Sequence, residues 1–275
     1  MTLPHIIRLV VRNFQAALDP LTMLVIFGQP AFLVIVLGTM FGQLIGSVGA
    51  SGSYVAFFVP GMIATTMITG AVLAARILWL DRRFSMVEQL LSGPYERLDY
   101  IGALLLTTLL FSLVGVAILV LVALPLLGLH SLTAEGLLVV LGTVALGATF
   151  FGGALISLAA RTRSSTLFFT VQSLLQFFVI YVSTVYYPVT GRTPAPLRLA
   201  IDVNPLTYAA QIIRDAFLLR LDTGDLFAGL VLGVLAGLSF ASALFFFGSN
   251  QVRSDRLTHE GAAPSVHHWG ARLKG

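Results

Sequence analysis

Catalysis and ion relay need nucleophiles, acids, bases or metal ligands. This 275-residue chain keeps nearly all of them out of its apolar stretches. Its only lysine is Lys274 and no Gly-x-x-x-x-Gly-Lys occurs, so the chain cannot bind ATP through a P-loop. The five histidines, His5, His130, His259, His267 and His268, include no His-x-x-x-His pair that could ligate a metal. The absence of cysteine excludes a disulfide framework, a thiolate zinc site, an iron–sulfur cluster and a thiol nucleophile. No Gly-x-Ser-x-Gly is present, and no carboxylate pair sits at membrane depth for hydrolytic chemistry. Catalytic, cofactor and metal sites are therefore not expected on this chain.

Ionisable groups deep in an apolar run would mark a proton or ion path. Here Arg76, Glu135 and Arg161 fall near the ends of such runs, and the deeper polar side chains are neutral. They are Thr65, Thr66 and Thr69 in one run and Gln172, Ser173 and Gln176 in another. Gln172 and Gln176, four residues apart, share a helix face. Thr66, Thr69, Gln172 and Gln176 could line a path for an amphiphilic compound. They could equally hydrogen-bond between helices and hold a bundle or a dimer together.

The elements that must carry these residues follow from composition. Hydrophobic residues make up 57% of the chain and charged residues 10%, with a mean hydropathy of +0.94. A water-soluble domain carries about 25% charged residues, so the expected solvent is a bilayer. Six runs are long enough to span as helices: residues 21–44, 54–79, 100–127, 137–160, 167–187 and 226–247. The runs do not alternate apolar with polar, which excludes a β-barrel. The expected fold is an all-α polytopic membrane protein. Residues 1–250 form its transmembrane domain, and residues 251–275 an irregular cytoplasmic tail. The first run is longer than the core of a signal peptide, so it is read as a retained span despite the cleavage-like Val48-Gly49-Ala50.

With both termini on one side, twelve of the 16 basic residues fall on that side and four, Arg192, Arg198, Arg214 and Arg220, on the other. The positive-inside rule then places both termini in the cytoplasm. The pI near 9.8 reflects this topology and not nucleic-acid binding, because no Lys/Arg-rich run exists.

Three segments outside the spans are patterned. In residues 5–19, Arg8, Arg12, Gln15 and Asp19 share one helical face, opposite Ile6, Val10, Phe14 and Ala17. That predicts an amphipathic helix lying on the cytoplasmic interface. In residues 81–99, Phe84, Val87 and Leu91 form an apolar stripe beside Arg82, Arg83 and Glu88, with Asp81 as cap and Gly93-Pro94 as stop. This short helix suits either docking onto a cytoplasmic protein or resting on lipid headgroups. The outer connection 188–225 begins with Pro188, Pro194 and Pro196. Asn204-Pro205 then opens a helix whose stripe is Leu206, Ala209, Ala210, Ile213 and Phe217. Too short and too charged to span, it reads as a re-entrant or interfacial helix.

The order of these segments resembles an ABC-2 type permease of the daunorubicin-resistance kind. The matching motifs are Asp81-Arg82-Arg83 through Glu88, Leu90 and Pro94, and Asn204-Pro205-Leu206-Thr207-Tyr208 through Arg214. Residues 54–61 and 178–188 are similar to the family's second span and to its fifth span with the exit that follows, and the resemblance covers nearly residues 1–250. It implies a multi-pass export component in a prokaryotic cytoplasmic membrane. A second permease subunit, identical or not, and two copies of an ATP-binding cassette subunit would complete it, with ATP and Mg held by the partner. It also implies that residues 81–91 are the coupling helix and that the N-terminal helix braces them. Pro188, Asn204, Pro205, Tyr208 and Arg214 would belong to an external gate of re-entrant helices. The outer connection holds few aromatic rings for stacking on sugars, which favours a lipophilic cargo over a polysaccharide or glycolipid. A membrane-embedded enzyme or assembly factor, or a channel or secondary transporter, would need polar groups in the spans that are missing.

Overall fold

The computed structural model describes residues 3–17, 19–45, 53–127, 133–191 and 193–261, and among them every regular element is helical. The segment holding Val48 to Ala50, the residues around His130, and residues 262–275 with His267 and His268 lie outside the described residues. The helices are α1 (Leu3–Ala17), α2 (Pro20–Ile45), α3 (Tyr54–Arg83), α4 (Met86–Leu91) and α5 (Arg97–Leu127). They continue as α6 (Ala134–Arg161), α7 (Ser165–Tyr181), α8 (Ala195–Val203), α9 (Pro205–Leu218) and α10 (Thr223–Gly261).

Five of these, α2, α3, α5, α6 and α10, are long and apolar enough to cross a membrane. The fifth expected run is shorter than its apolar composition suggested. Helix α7 has 17 residues and ends at Tyr181, so at 1.5 Å per residue it reaches about 25 Å. Residues 182–187 leave the helix. Helix α10 continues through Gly261, past the end of the sixth expected run.

Helix α3 is the centre of the bundle. In its most apolar window 78% of residues are buried, against 11% for α2, which lies at the periphery. Helices α5 and α6 flank α3, α10 lies along α6, and α9 covers the ends of α3, α6 and α10. Large apolar side chains on α2, α7 and α10, such as Phe32, Phe177 and Phe227, remain on the outside of the bundle. In lipid that exposure carries no penalty, and contact between helices must come from close packing and hydrogen bonds.

The close packing is visible at two glycines. A Cβ on Gly70 of α3 would lie 2.6 Å from the Thr108 carbonyl oxygen and from Ser112 Oγ of α5. A Cβ on Gly153 of α6 would lie 2.7 Å from the Ser239 backbone of α10. Hydroxyls then stitch the same seams. Ser112 Oγ donates to the Thr66 carbonyl at 3.2 Å, and Ser239 Oγ donates to the Phe150 carbonyl at 2.7 Å.

Helix ends are fixed by local chemistry. Asp19 accepts the Thr22 N–H at 2.9 Å and caps α2, with Pro20 at its first position. Thr133 accepts the Gly136 N–H at 3.2 Å and caps α6. Asp222 and Asp225 cap α10 reciprocally: Asp222 Oδ1 accepts from Gly224 and Asp225, and Asp225 Oδ2 accepts from the Asp222 N–H.

Gly153→Ala is expected to destabilise the α6–α10 seam by about 1–3 kcal/mol through overpacking, read as a lower melting temperature in detergent. Gly142→Ala, where nothing lies within 4 Å of the new Cβ, is the matched control and should be neutral or stabilising.

Candidate functional site

At one end of the bundle the N-terminal helix, the α3–α4 corner and the start of α5 meet. The expected coupling helix over residues 81–91 is corrected here. Asp81, Arg82 and Arg83 form the last turn of α3, and the chain breaks at Phe84 and Ser85 before α4 begins at Met86. Ser85 adopts φ 53°, ψ 23°, a left-handed conformation that costs a non-glycine residue about 1 kcal/mol. Asp81 is not a cap, because its carboxylate is drawn into the bundle. Arg12 of α1 donates to it in an ion pair, and the Tyr100 hydroxyl of α5 donates to it at 2.7 Å. Three helices thus share one carboxylate.

The rest of α1 follows that anchor. Asn13 is buried and donates to Thr107 Oγ1 at 3.0 Å, Phe14 stacks on Phe111 at 4.3 Å, and His5 lies 3.5 Å from Asp99. The amphipathic pattern is therefore satisfied largely by protein, with Leu9, Val10 and Ala17 buried as well. Arg8 stays exposed on the opposite face.

On α4 the stripe also differs from expectation. Val87 is buried and Leu90 and Leu91 pack partly on the core, but Phe84 sits at the break and is 67% exposed. Phe84, Met86 and Glu88 all face outward. Arg82 donates to the Ala159 carbonyl and ties α3 to the end of α6, while Arg83 lies 5.4 Å over the Trp79 ring.

At the opposite end, residues 182–187 and helices α8 and α9 form a cover. Asn204 does more than cap α9. Its Oδ1 accepts the Leu206 N–H at 3.0 Å, and its Nδ2 donates to the carbonyls of Val179 and Val182 where α7 ends. Pro205 holds the first position of α9. The Tyr208 hydroxyl returns to the Asp202 carbonyl at 2.7 Å, across the joint between α8 and α9. Arg214 is the clasp of this cover. Its guanidinium donates to the Thr184 carbonyl at 3.0 Å and the Phe57 carbonyl at 3.3 Å, and lies 3.9 Å over the Phe57 ring. Burial pushes its pKa down to about 10, partly opposed by Asp215. Pro188 is exposed at the start of the connection.

Helix α8 is an element that the sequence pattern did not place, since a helix was expected there only from Asn204-Pro205 onward. The available signal was Pro194 and Pro196 at a helix start followed by Leu197 and Ile201 at i, i+4 spacing. The few-aromatics expectation also changes in three dimensions. Tyr54, Phe57 and Phe58 from α3 meet Tyr181 and Tyr186 at this end. Most of these rings are buried against one another, while Tyr181 and Tyr187 are 46% and 38% exposed.

The four polar residues considered for a path do not form one hydrogen-bonded array. Thr66 donates to the Ile63 carbonyl at 2.7 Å and Thr69 to the Thr65 carbonyl at 3.1 Å, so both hydroxyls serve their own helix. Thr66 faces α5 at Gly115. Gln172 is buried and Gln176 half-buried on α7, whose contact with α3 runs through Phe168 stacked on Trp79 at 5.9 Å. No group of three or more metal-ligating side chains occurs among the described residues.

A bundle of long apolar helices with a tethered amphipathic N-terminal helix, a short inter-span helix and a helical cover at the opposite end is the architecture of a multi-pass membrane protein. The ABC-2 type transporter family matches residues 4–218, from the start of α1 to the end of α9, and the chain belongs to that family. Helix α10 lies beyond the match. No curated protein matches the chain. Members of this family are the non-catalytic membrane components of transporters that work with an ATP-binding subunit.

Two outcomes test this geometry. Asp81→Asn leaves the Arg12 cation facing a neutral partner, and is expected to cost about 1–3 kcal/mol given its partial exposure. Faster proteolysis or hydrogen exchange in α1 would report it, with Tyr100→Phe milder. At the opposite end, burial and the neighbouring Asp225 raise the Asp215 pKa to about 6, against the lowering influence of Arg214 and with Asp222 adding to the rise. The native state then holds this proton more tightly than the unfolded chain, so stability falls as pH rises from about 4 to about 6. Asp215→Asn should raise the melting temperature at pH 7.5 and leave it unchanged at pH 4.

Proposed function

We propose that this chain is the permease subunit of an ATP-driven exporter of the cytoplasmic membrane of a prokaryote. It moves a lipophilic or amphiphilic compound outward, in the manner of a daunorubicin-resistance permease. Both termini and the α1–α3–α4 corner face the cytoplasm, because the arginines of that corner belong to the basic-rich side of the chain. The permease pairs with a second permease subunit and docks two ATP-binding cassette subunits, which hold ATP and Mg. Helix α7 serves as the fifth span, with local bilayer thinning or flanking residues making up its short length.

The observation that carries this reading is the α3–α4 corner. Phe84, Met86 and Glu88 project from it, while the Asp81 carboxylate fixes its base to α1 and α5. A rigidly based projection can transmit a push from a docked subunit into α3, the most buried helix, which a floppy loop could not. Helices α8 and α9 form the external gate, with Asn204 and Arg214 as its latches on α7 and α3. Gln172 and Gln176 are the neutral donors that face the cargo, and apolar walls supply most of its binding. A polysaccharide or glycolipid is the second reading, favoured by the exposed Tyr181 and Tyr187 rings at the outer end.

Phe84→Ala and Glu88→Lys together are expected to lower copurification of the ATP-binding subunit at least tenfold and to stop export, without changing the melting temperature of the permease. Association and export at the wild-type level would refute the coupling assignment. ATP hydrolysis by the purified chain alone would refute the division of labour.

A further inference from the structure

A cleft of about 550 Å³ opens beside the α3–α4 corner and shares only Glu88 with the docking projection just described. Its walls come from the end of α3, from α4, from the connection between α6 and α7, and from Phe247 of α10. Three arginines line it, Arg82, Arg83 and Arg163, against a single acidic residue, Glu88. Arg163 is exposed and close enough to Arg82 for the two cations to repel. Converging cations of this kind raise the energy of the empty cleft and favour an anion within it.

The remaining wall is suited to the same ligand. Ser164 and Ser165 line the cleft at the start of α7. Ser164 caps that helix by accepting the Leu167 N–H at 3.4 Å. The first backbone N–H groups of a 17-residue helix have no intrahelical acceptor and bear partial positive charge. Guanidinium forks, hydroxyls and a helix N-terminus together match a tetrahedral phosphate.

The surroundings say what carries that phosphate. Trp79 in the wall stacks on Phe168 and packs against Phe169 at 5.4 Å, and α7 then leads away with Leu167, Leu174 and Leu175 exposed on one face. An acyl chain anchored by its headgroup in the cleft would lie along this apolar face. We infer that the cleft between the α3–α4 corner and the α6–α7 connection binds the phosphate of an anionic membrane phospholipid. Bound there, the headgroup bridges Arg83 of α3 to Arg163 and α7, and ties the peripheral α7 to the centre of the bundle. The inference does not rest on the proposed docking of an ATP-binding subunit.

Native mass spectrometry of the purified full chain tests it, with dioleoyl phosphatidylglycerol, dioleoylglycerol and inorganic phosphate as probes. One phosphatidylglycerol should be retained per chain under conditions that strip dioleoylglycerol. Arg163→Gln should lower retention about tenfold, and the double variant Arg83→Gln/Arg163→Gln should abolish it, at unchanged melting temperature. Arg198→Gln, which removes one cation at the far end, should retain lipid as the wild type does. Displacement by millimolar inorganic phosphate would identify free phosphate as a sufficient ligand. Resistance to it would identify the lipid as the ligand. Equal retention by the double variant, equal binding of dioleoylglycerol, or an equal loss in Arg198→Gln would overturn the inference. So would a chain that retains no lipid but needs Arg83 and Arg163 for copurification of the ATP-binding subunit. Export and subunit copurification in these variants are read separately, so either proposal can fail alone.

Discussion

A bilayer supplies no hydrogen bonds and gives no reward for moving carbon from lipid into protein, and the architecture of this chain answers to that constraint. Polar groups at depth must be satisfied within the protein, and helices must attract one another through close packing and a few hydrogen bonds. The threonine and serine hydroxyls of α3, α5 and α6 return to carbonyls of their own helices, as Thr65, Thr107 and Ser157 do. The few that reach across, such as Ser112 and Ser239, sit where a glycine lets backbones approach. Charge is kept to the two ends.

The two ends solve the placement of charge differently. At the corner of α1, α3 and α5 an anion is shared, with Asp81 accepting from Arg12 and Tyr100, which makes the N-terminal helix part of the bundle's framework. At the outer cover a cation is shared, with Arg214 spanning two backbone carbonyls and a ring. Both devices couple elements far apart in sequence to α3. A displacement of α3 would therefore be felt at both ends of the bundle.

Much of the fold was legible as sequence, and the misreadings have specific causes. The amphipathic stripe of α1, the Asn204-Pro205 start of α9 and the buried face of α9 follow from local rules of periodicity and capping. The start of the short helix α4 was misread because Asp81 is a good cap by type. A cap needs a free carboxylate, and this one has two donors from other helices. Helix α8 was hidden by prolines that normally interrupt but here stand at a helix start.

The sequence by itself determined the solvent, the apolar runs and the amphipathic stripes, because these depend on composition and on single-helix periodicity. Only the tertiary structure decided where α3 ends, where α7 stops and which arginines face one another. Helix α7 yields at Tyr181, and the carbonyls of Val179 and Val182 are taken up by Asn204, more than twenty residues further on. Arg82, Arg83 and Arg163 converge because α3 lies against α6, and no spacing along the chain encodes that. Contacts between distant residues depend on which helix faces pack, and among near-uniform apolar surfaces that choice is made by a few glycines and polar partners acting together.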